Sequence, residues 1–157
     1  MAANKAVVNV TASVLPDNIK KHVVGTAVYN LNDGTGDMDK WLYYLASVAT
    51  GSGDILNGTP SLLVPEGDST ANVAATDNVY FVILHHTGYK GDGVTKTTAE
   101  LYFNFVASTA GASAGNLTLK PGEVWWGRLN DEDIGDLHGA ASLDTINVAI
   151  YAVVDDQ

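Results

Sequence analysis

The sequence predicts an all-β protein, because apolar side chains recur at every second position in separate segments. In the first segment, residues 5–14, the apolar residues Val8, Val10, Ala12 and Val14 fall on one face. The same period of two returns in residues 99–107 and 144–154. This alternation is typical of strands with one buried face. A chain built from such strands forms a β-sandwich or a β-barrel.

The composition predicts one globular domain over residues 1–157. A chain of 157 residues, 46% of them hydrophobic, is long enough to bury a sizeable core. No apolar run approaches the roughly 20 residues that a membrane helix needs, so we expect no membrane partner. The N-terminus lacks the longer apolar core of a signal peptide. Cysteine is absent, which excludes disulfide and thiolate chemistry.

The charge balance argues against nucleic acid as a partner. The formal net charge is −10, from 18 acidic and 8 basic residues. Binding to phosphates requires clustered Lys and Arg side chains. Here Arg128 is the sole arginine, and Lys20 and Lys21 form the sole adjacent basic pair. The acidic surplus is spread along the chain and is consistent with solubility.

Alternation, apolar runs and turn residues place about eight strands, connected by long loops. We predict strands at residues 5–14, 21–31, 61–64, 78–86, 99–107, 116–119, 122–129 and 144–154. Residues 87–98 read as a hairpin loop, and residues 130–142 as an acidic segment with one helical turn. Residues 120–122, Lys-Pro-Gly, read as a tight turn.

Residues 40–49 fit two interpretations. Their aromatic density favours a strand. Leu42, Leu45 and Ala46 would also share one face of a helix that ends at Gly51. We predict a strand and keep the helix as the alternative.

No motif indicates catalysis or a cofactor, so we expect neither. The loop at residues 30–39 is rich in Asp and Asn and could supply oxygen ligands to calcium, but its spacing does not match an EF-hand loop. We interpret it as an acidic surface turn. His85 and His86 are adjacent in a strand, so they point to opposite faces and cannot jointly hold one metal. The acidic residues between Asp131 and Asp136 read as a solvated segment, and no G-x-S-x-G elbow is present.

The tryptophans are the strongest candidates for binding. In a strand, Trp125 and Trp126 face opposite sides, so at least one can be exposed or lie at an interface. Exposed aromatic rings pack against protein partners and stack on sugar rings.

The second half of the chain resembles small jelly-roll virion proteins of tailed bacteriophages. The resemblance spans residues 78–154, about half of the chain, and rests on the segments 78–86, 98–103, 119–127 and 146–152. In such proteins an apolar strand precedes an L-x-P-G-E turn, here Leu119-Lys-Pro-Gly-Glu, and an apolar strand closes the chain.

The resemblance implies a single-domain antiparallel β-sandwich of jelly-roll type that serves as a capsid decoration, or cement, protein. Such a protein sits on the capsid exterior of the virion, binds the major capsid protein and is often a homotrimer. Candidate subunit or capsid contacts are Val8, Val10, Trp41, Tyr43, Trp125 and Trp126. The strand at residues 5–14 could also pair with the sheet edge of a neighbour.

The alternative is a carbohydrate-binding β-sandwich module of a tail fibre or another host-recognition protein. That function also uses exposed aromatic side chains and acidic loops. An enzyme is disfavoured because no catalytic constellation is visible.

Overall fold

The chain divides into two compact units, Met1–Asp39 and Lys40–Gln157. The structure, a computed structural model, describes residues 5–14, 21–30, 40–51, 53–55, 62–63, 78–105 and 117–155, in some strands by the backbone alone. Each unit is described separately below. One domain over residues 1–157 stays a prediction.

The first unit contains a β-hairpin. Strand β1 (Lys5–Val14) pairs antiparallel with β2 (Lys21–Asn30), as the alternation in this segment predicts. The register brings Val8 opposite Ala27 and Val10 opposite Gly25.

The second unit contains nine strands and one turn of 3-10 helix, Ile134–Asp136, within the described residues. The strands are β3 (Lys40–Val48), β4 (Gly53–Asp54), β5 (Leu62–Leu63), β6 (Asn78–Lys90), β7 (Leu101–Asn104), β8 (Leu117–Leu119), β9 (Val124–Asp133), β10 (His138–Ala141) and β11 (Ile146–Asp155). They form a five-stranded sheet in the order β5-β3-β11-β6-β9 and a four-stranded sheet in the order β4-β10-β7-β8. Neighbouring strands are antiparallel throughout.

The two sheets share one hydrophobic core, which makes the second unit a β-sandwich. The inner face of β11 is buried at every second residue: Ile146, Val148, Ile150, Ala152 and Val154. Leu101, Phe103 and Leu119 enter the same core from the four-stranded sheet. The all-β sandwich that the sequence predicts is therefore confirmed.

The strand prediction for residues 40–49 is confirmed, and the helical alternative is wrong. β3 pairs with β11 along its whole length, from Val48 opposite Ile146 to Lys40 opposite Val154. Burial alternates along β3, because Ala46 is buried whereas Leu45 is exposed. Pairing with a buried central strand favours the extended form over the helical pattern of the same residues.

Two strands extend four residues beyond their predicted ends. β6 continues to Lys90, four residues beyond the predicted end, because it stays paired with β11 as far as Ile146. β9 continues to Asp133, which pairs with Asn78 after a shift in register between Val79 and Phe81. The acidic segment is therefore partly a strand, and its helical turn at Ile134–Asp136 is confirmed. The prediction missed β10, which occupies His138–Ala141 of the same segment.

The start of β7 also differs from the prediction, because side chains bind the backbone of Ala99. The hydroxyl of Thr97 accepts the Ala99 N–H at 3.0 Å, and Nε2 of His86 donates to the Ala99 carbonyl at 2.9 Å. These bonds replace strand pairing, so β7 begins at Leu101 instead of residue 99.

Replacing Phe103 by alanine tests the shared core. Phe103 is fully buried between the sheets, so the Phe103→Ala variant should lose about 3–5 kcal/mol of unfolding free energy in denaturant titrations. The control is Val94→Ala, at a mostly exposed apolar residue, which should change stability by less than about 0.5 kcal/mol. Equal losses in both variants would contradict this position of the core.

Candidate interaction surface

Trp125 and Trp126 point to opposite faces of the five-stranded sheet, as the sequence predicts. The ring centre of Trp125 lies 5.3 Å from that of Phe103 and 5.4 Å from that of Phe105, at the margin of the core. Trp126 is 48% exposed on the opposite, outer face. Of the two candidate contacts, Trp126 is thus the one available to a partner, and Trp125 belongs to the sandwich.

A row of apolar side chains crosses the outer face through Trp126. Trp126 lies opposite Ile83 of β6. Ile83 lies opposite Tyr151 of β11, which lies opposite Tyr43 of β3. Directly opposed residues of antiparallel strands share a face, so these four form one row. The ring centres of Tyr43 and Tyr151 are 4.8 Å apart, and Tyr151 is 40% exposed.

A second row runs beside the first. Leu45 of β3 lies opposite Ala149 of β11, which lies opposite His85 of β6. His85 lies opposite Val124 of β9. The two ends of this row are exposed apolar residues, Leu45 at 48% and Val124 at 53%.

A third row, formed by Trp41, Val153, Phe81 and Arg128, bounds the exposed area. Phe81 and Val153 are buried, although they occupy outer-face positions. Arg128 is exposed at the end of this row. Among the side chains that the structure describes, the exposed and half-buried apolar surface therefore lies in the first two rows. We call it the outer patch: Tyr43, Leu45, Ile83, Val124, Trp126 and Tyr151.

A tight turn sets the start of β9, and with it the positions of both tryptophans. The Glu123 N–H donates to the Lys120 carbonyl at 3.0 Å, and Gly122 has φ +86°. Proline followed by a residue of positive φ is the pattern of a type II turn, which requires glycine at this place. A Glu123 carboxylate oxygen accepts the Lys120 N–H at 2.8 Å and closes the turn from the other side.

His86 fastens this turn to the sandwich. Its backbone N–H donates to the Glu123 carbonyl at 3.0 Å, and its carbonyl accepts the Gly122 N–H at 2.8 Å. Its buried ring donates from Nε2 to the Ala99 carbonyl and accepts the Gly88 N–H at Nδ1, at 3.1 Å. Only the neutral imidazole can make both ring bonds. Burial lowers the pKa of His86 below 6.5, and the neighbouring His85 lowers it further, against the bond to Ala99 and the charge of Glu123.

Of the four other candidate contacts, the structure describes the side chain of Tyr43 and only the backbones of Val8, Val10 and Trp41. Val8 and Val10 lie in β1, where the backbone is described and their side chains are not. Trp41 lies in β3 with its backbone opposite Val153 and Leu63, and its side chain is likewise outside the description. Tyr43 belongs to the outer patch. The sequence did not single out Tyr151, Ile83, Leu45 or Val124, because strand register decides which of them are neighbours.

Polar candidates do not assemble into a reactive centre in the described residues. No three His, Asp or Glu side chains among them come together as a metal-binding group. The acidic loop at residues 30–39, which we interpret as a surface turn, lies outside the described residues apart from Asn30 at the end of β2. The described part of the chain contains no helix long and apolar enough to cross a membrane.

Comparison with known proteins adds no relative. No family model, curated protein or solved structure matches the chain.

Alanine substitution separates the roles of the two tryptophans. Trp125→Ala removes a ring packed on Phe103 and should lower the unfolding free energy by about 2 kcal/mol or more. Trp126→Ala removes a half-exposed ring and should cost less than about 1 kcal/mol. Denaturant titration of both variants measures the difference. A larger loss at Trp126 would reverse the assignment of faces.

The lowered pKa of His86 predicts that the free energy of unfolding falls in mild acid. Its pKa is lowered in the folded state, so the unfolded chain binds a proton at His86 more readily. The unfolding free energy should therefore fall as pH drops below about 6.5, and this loss should level off below the folded-state pKa. Denaturant titrations between about pH 7.5 and pH 5 measure the loss. In His86→Gln this part of the pH dependence should disappear, whereas His85→Gln should retain it.

Proposed function

We propose that this protein is a virion structural protein, a decoration protein that binds the outer surface of a tailed-bacteriophage capsid and stabilises the shell. The outer patch is the observation that carries the proposal. Apolar side chains from four adjacent strands share one accessible sheet face, and contiguous exposed apolar surface marks interaction sites.

The strand order supports the jelly-roll form of the sandwich. When β5, which lies outside β3 at the edge of the five-stranded sheet, is left aside, eight strands remain in the second unit as described. Counted along the chain, they have the orders 1-8-3-6 and 2-7-4-5 in the two sheets. A jelly roll has this arrangement, and it occurs in viral capsid and lectin domains. The order is thus compatible with both the decoration protein and its carbohydrate-binding alternative.

The resemblance to virion proteins coincides with the patch. Its L-x-P-G-E segment is the turn between β8 and β9, and that turn sets the start of the strand that carries Val124 and Trp126. The residues that support the resemblance therefore also position the surface that we assign to shell binding.

The charge fits an exterior position. A net charge of −10 disfavours contact with packaged DNA. The outer patch is an apolar surface on a protein with a negative net charge, so we expect the capsid to bind the protein through this patch. The major capsid protein is the partner we propose for that face.

Stabilisation of the shell then follows from mass action. A protein that binds the assembled shell and not the free subunits favours the assembled state. Many identical sites on one shell multiply this effect, and a homo-oligomer adds multivalency. The trimer that the resemblance implies stays a prediction.

Binding of variants to purified shells tests the proposal. Shells assembled from the major capsid protein of the same genome are incubated with the protein, sedimented and assayed for occupancy. Trp126→Ala should weaken binding by a hot-spot amount of about 2 kcal/mol, or roughly 30-fold. The matched control is Leu143→Ala, which removes an exposed apolar side chain in the β10–β11 connection and should bind as the unmodified protein does.

Two outcomes would contradict the assignment. Unchanged occupancy of Trp126→Ala would remove the outer patch from shell binding. A protein that does not bind shells but is retained on immobilised glycans, with retention lost in Trp126→Ala, would establish the carbohydrate-binding module instead.

A further inference from the structure

Strand β9 is the edge of the five-stranded sheet. It pairs with β6 on one side, and on its other side the described residues provide no strand. Its ten residues make it much longer than β5, the two-residue strand at the opposite edge. A long exposed edge strand presents backbone groups that can pair with another chain.

The backbone groups available for pairing can be assigned to particular residues. The Glu123 carbonyl accepts the His86 N–H, so it points towards β6. Backbone groups along an antiparallel strand point alternately to its two sides. The N–H and C=O groups of Val124, Trp126 and Arg128 therefore point to the open side of β9.

We propose that β9 pairs with β9 of a second copy of this chain, antiparallel about a two-fold axis at Gly127. In this register Trp126 lies opposite the partner's Arg128, and Arg128 lies opposite the partner's Trp126. These are residues whose backbone groups point to the open edge, so the pair can form both hydrogen bonds of an antiparallel ladder. The contact is isologous, as a two-fold dimer requires.

The side chains complement each other in this register. Trp126 and Arg128 share the outer face, so each indole meets a guanidinium of the partner, a favourable cation–π pair. Arg128 is the sole arginine of the chain and is exposed. On the inner face Trp125 lies opposite the partner's Leu129, and both side chains already pack at the margin of the core.

Gly127 suits the position on the axis. The indole of Trp125 occupies the space on the inner face where a side chain at residue 127 would lie, because a Cβ there would be 2.7 Å from that ring. Glycine thus leaves room for Trp125 to lie over the strand at the centre of the contact.

Neighbouring registers are less favourable. In the dimer, the outer faces of the two sheets must lie on the same side. Opposed residues must therefore be an even number of positions apart, which places the two-fold axis at a residue and not between two residues. An axis at Arg128 would oppose two arginines, and an axis at Trp126 would leave Arg128 opposite Val124. The ladder in the Gly127 register is short. The regular part of β9 ends at Arg128, where its pairing with β6 shifts in register. Beyond residues 124–130, Asp131 comes to the position of Glu123, and the two like charges disfavour further pairing.

The contact would unite two outer patches. The two five-stranded sheets would become one continuous sheet, with both patches on the same side of it. The proposal does not depend on shell binding, and it is distinguishable from the predicted trimer because a two-fold contact gives a mass of two chains.

An exchange of residues 126 and 128 tests the register. Light scattering gives the solution mass at micromolar protein concentration, and a dimer is expected for the unmodified protein. Trp126→Arg places arginine opposite arginine twice and should weaken the dimer about ten-fold or more. Combining Trp126→Arg with Arg128→Trp restores a tryptophan–arginine pair at both positions and should recover the dimer. Lys96→Trp, at an exposed residue away from β9, is the matched surface control.

Each other outcome overturns the proposal. An unmodified protein that is monomeric has no such contact. If the protein is a trimer and none of these substitutions changes its mass, the subunits associate through another surface. That outcome would overturn the β9 contact and leave the proposed function intact. Failure of the double variant to recover the dimer, with its circular dichroism unchanged, would exclude the Gly127 register. Arg128→Glu provides a second single variant and should also dissociate the dimer, should Trp126→Arg not fold.

Discussion

The second unit depends on the antiparallel pairing of β11 with strands on both sides. β3 and β6 occupy its two edges, and its inner face supplies five buried apolar residues to the core shared with the four-stranded sheet. Every row of the outer face also passes through β11, at Ala149, Tyr151 and Val153. The core, the five-stranded sheet and the outer patch therefore all depend on the register in which β11 pairs with β3 and β6.

The alternation of apolar residues was sufficient to predict the sandwich and most of its strands, because a half-buried strand imposes a period of two. It was insufficient where the backbone binds side chains, as at Ala99, and where pairing extends a strand past its apolar run, as at Lys90. The bond between Thr97 and Ala99 is local, whereas the bond of His86 to Ala99 and the pairing of Lys90 with Ile146 join separate segments of the chain. The last two depend on which segment lies beside the strand in the fold.

Only part of the outer patch could be predicted from the sequence, because most of its contacts join residues of different strands. Alternation alone separates Trp125 from Trp126, but it does not indicate which of them faces the core. The burial of Trp125 follows from its contacts with Phe103 in β7 and with Phe105 just after β7. Tyr43 and Tyr151 are more than one hundred positions apart in the sequence, and only register makes them neighbours. A surface assembled from one or two residues of each strand leaves no contiguous motif.

The place of β11 in the sheet has a consequence for biosynthesis. β11 follows in the chain all the strands that it joins, so β3 and β6 have no common neighbour until the ribosome has made it. Until then both strands expose edges that the finished sheet covers. Closing the sheet across so long a stretch of chain is entropically costly, and folds dominated by such distant pairings form slowly. The nascent protein thus passes through a period in which its apolar strands are vulnerable to aggregation.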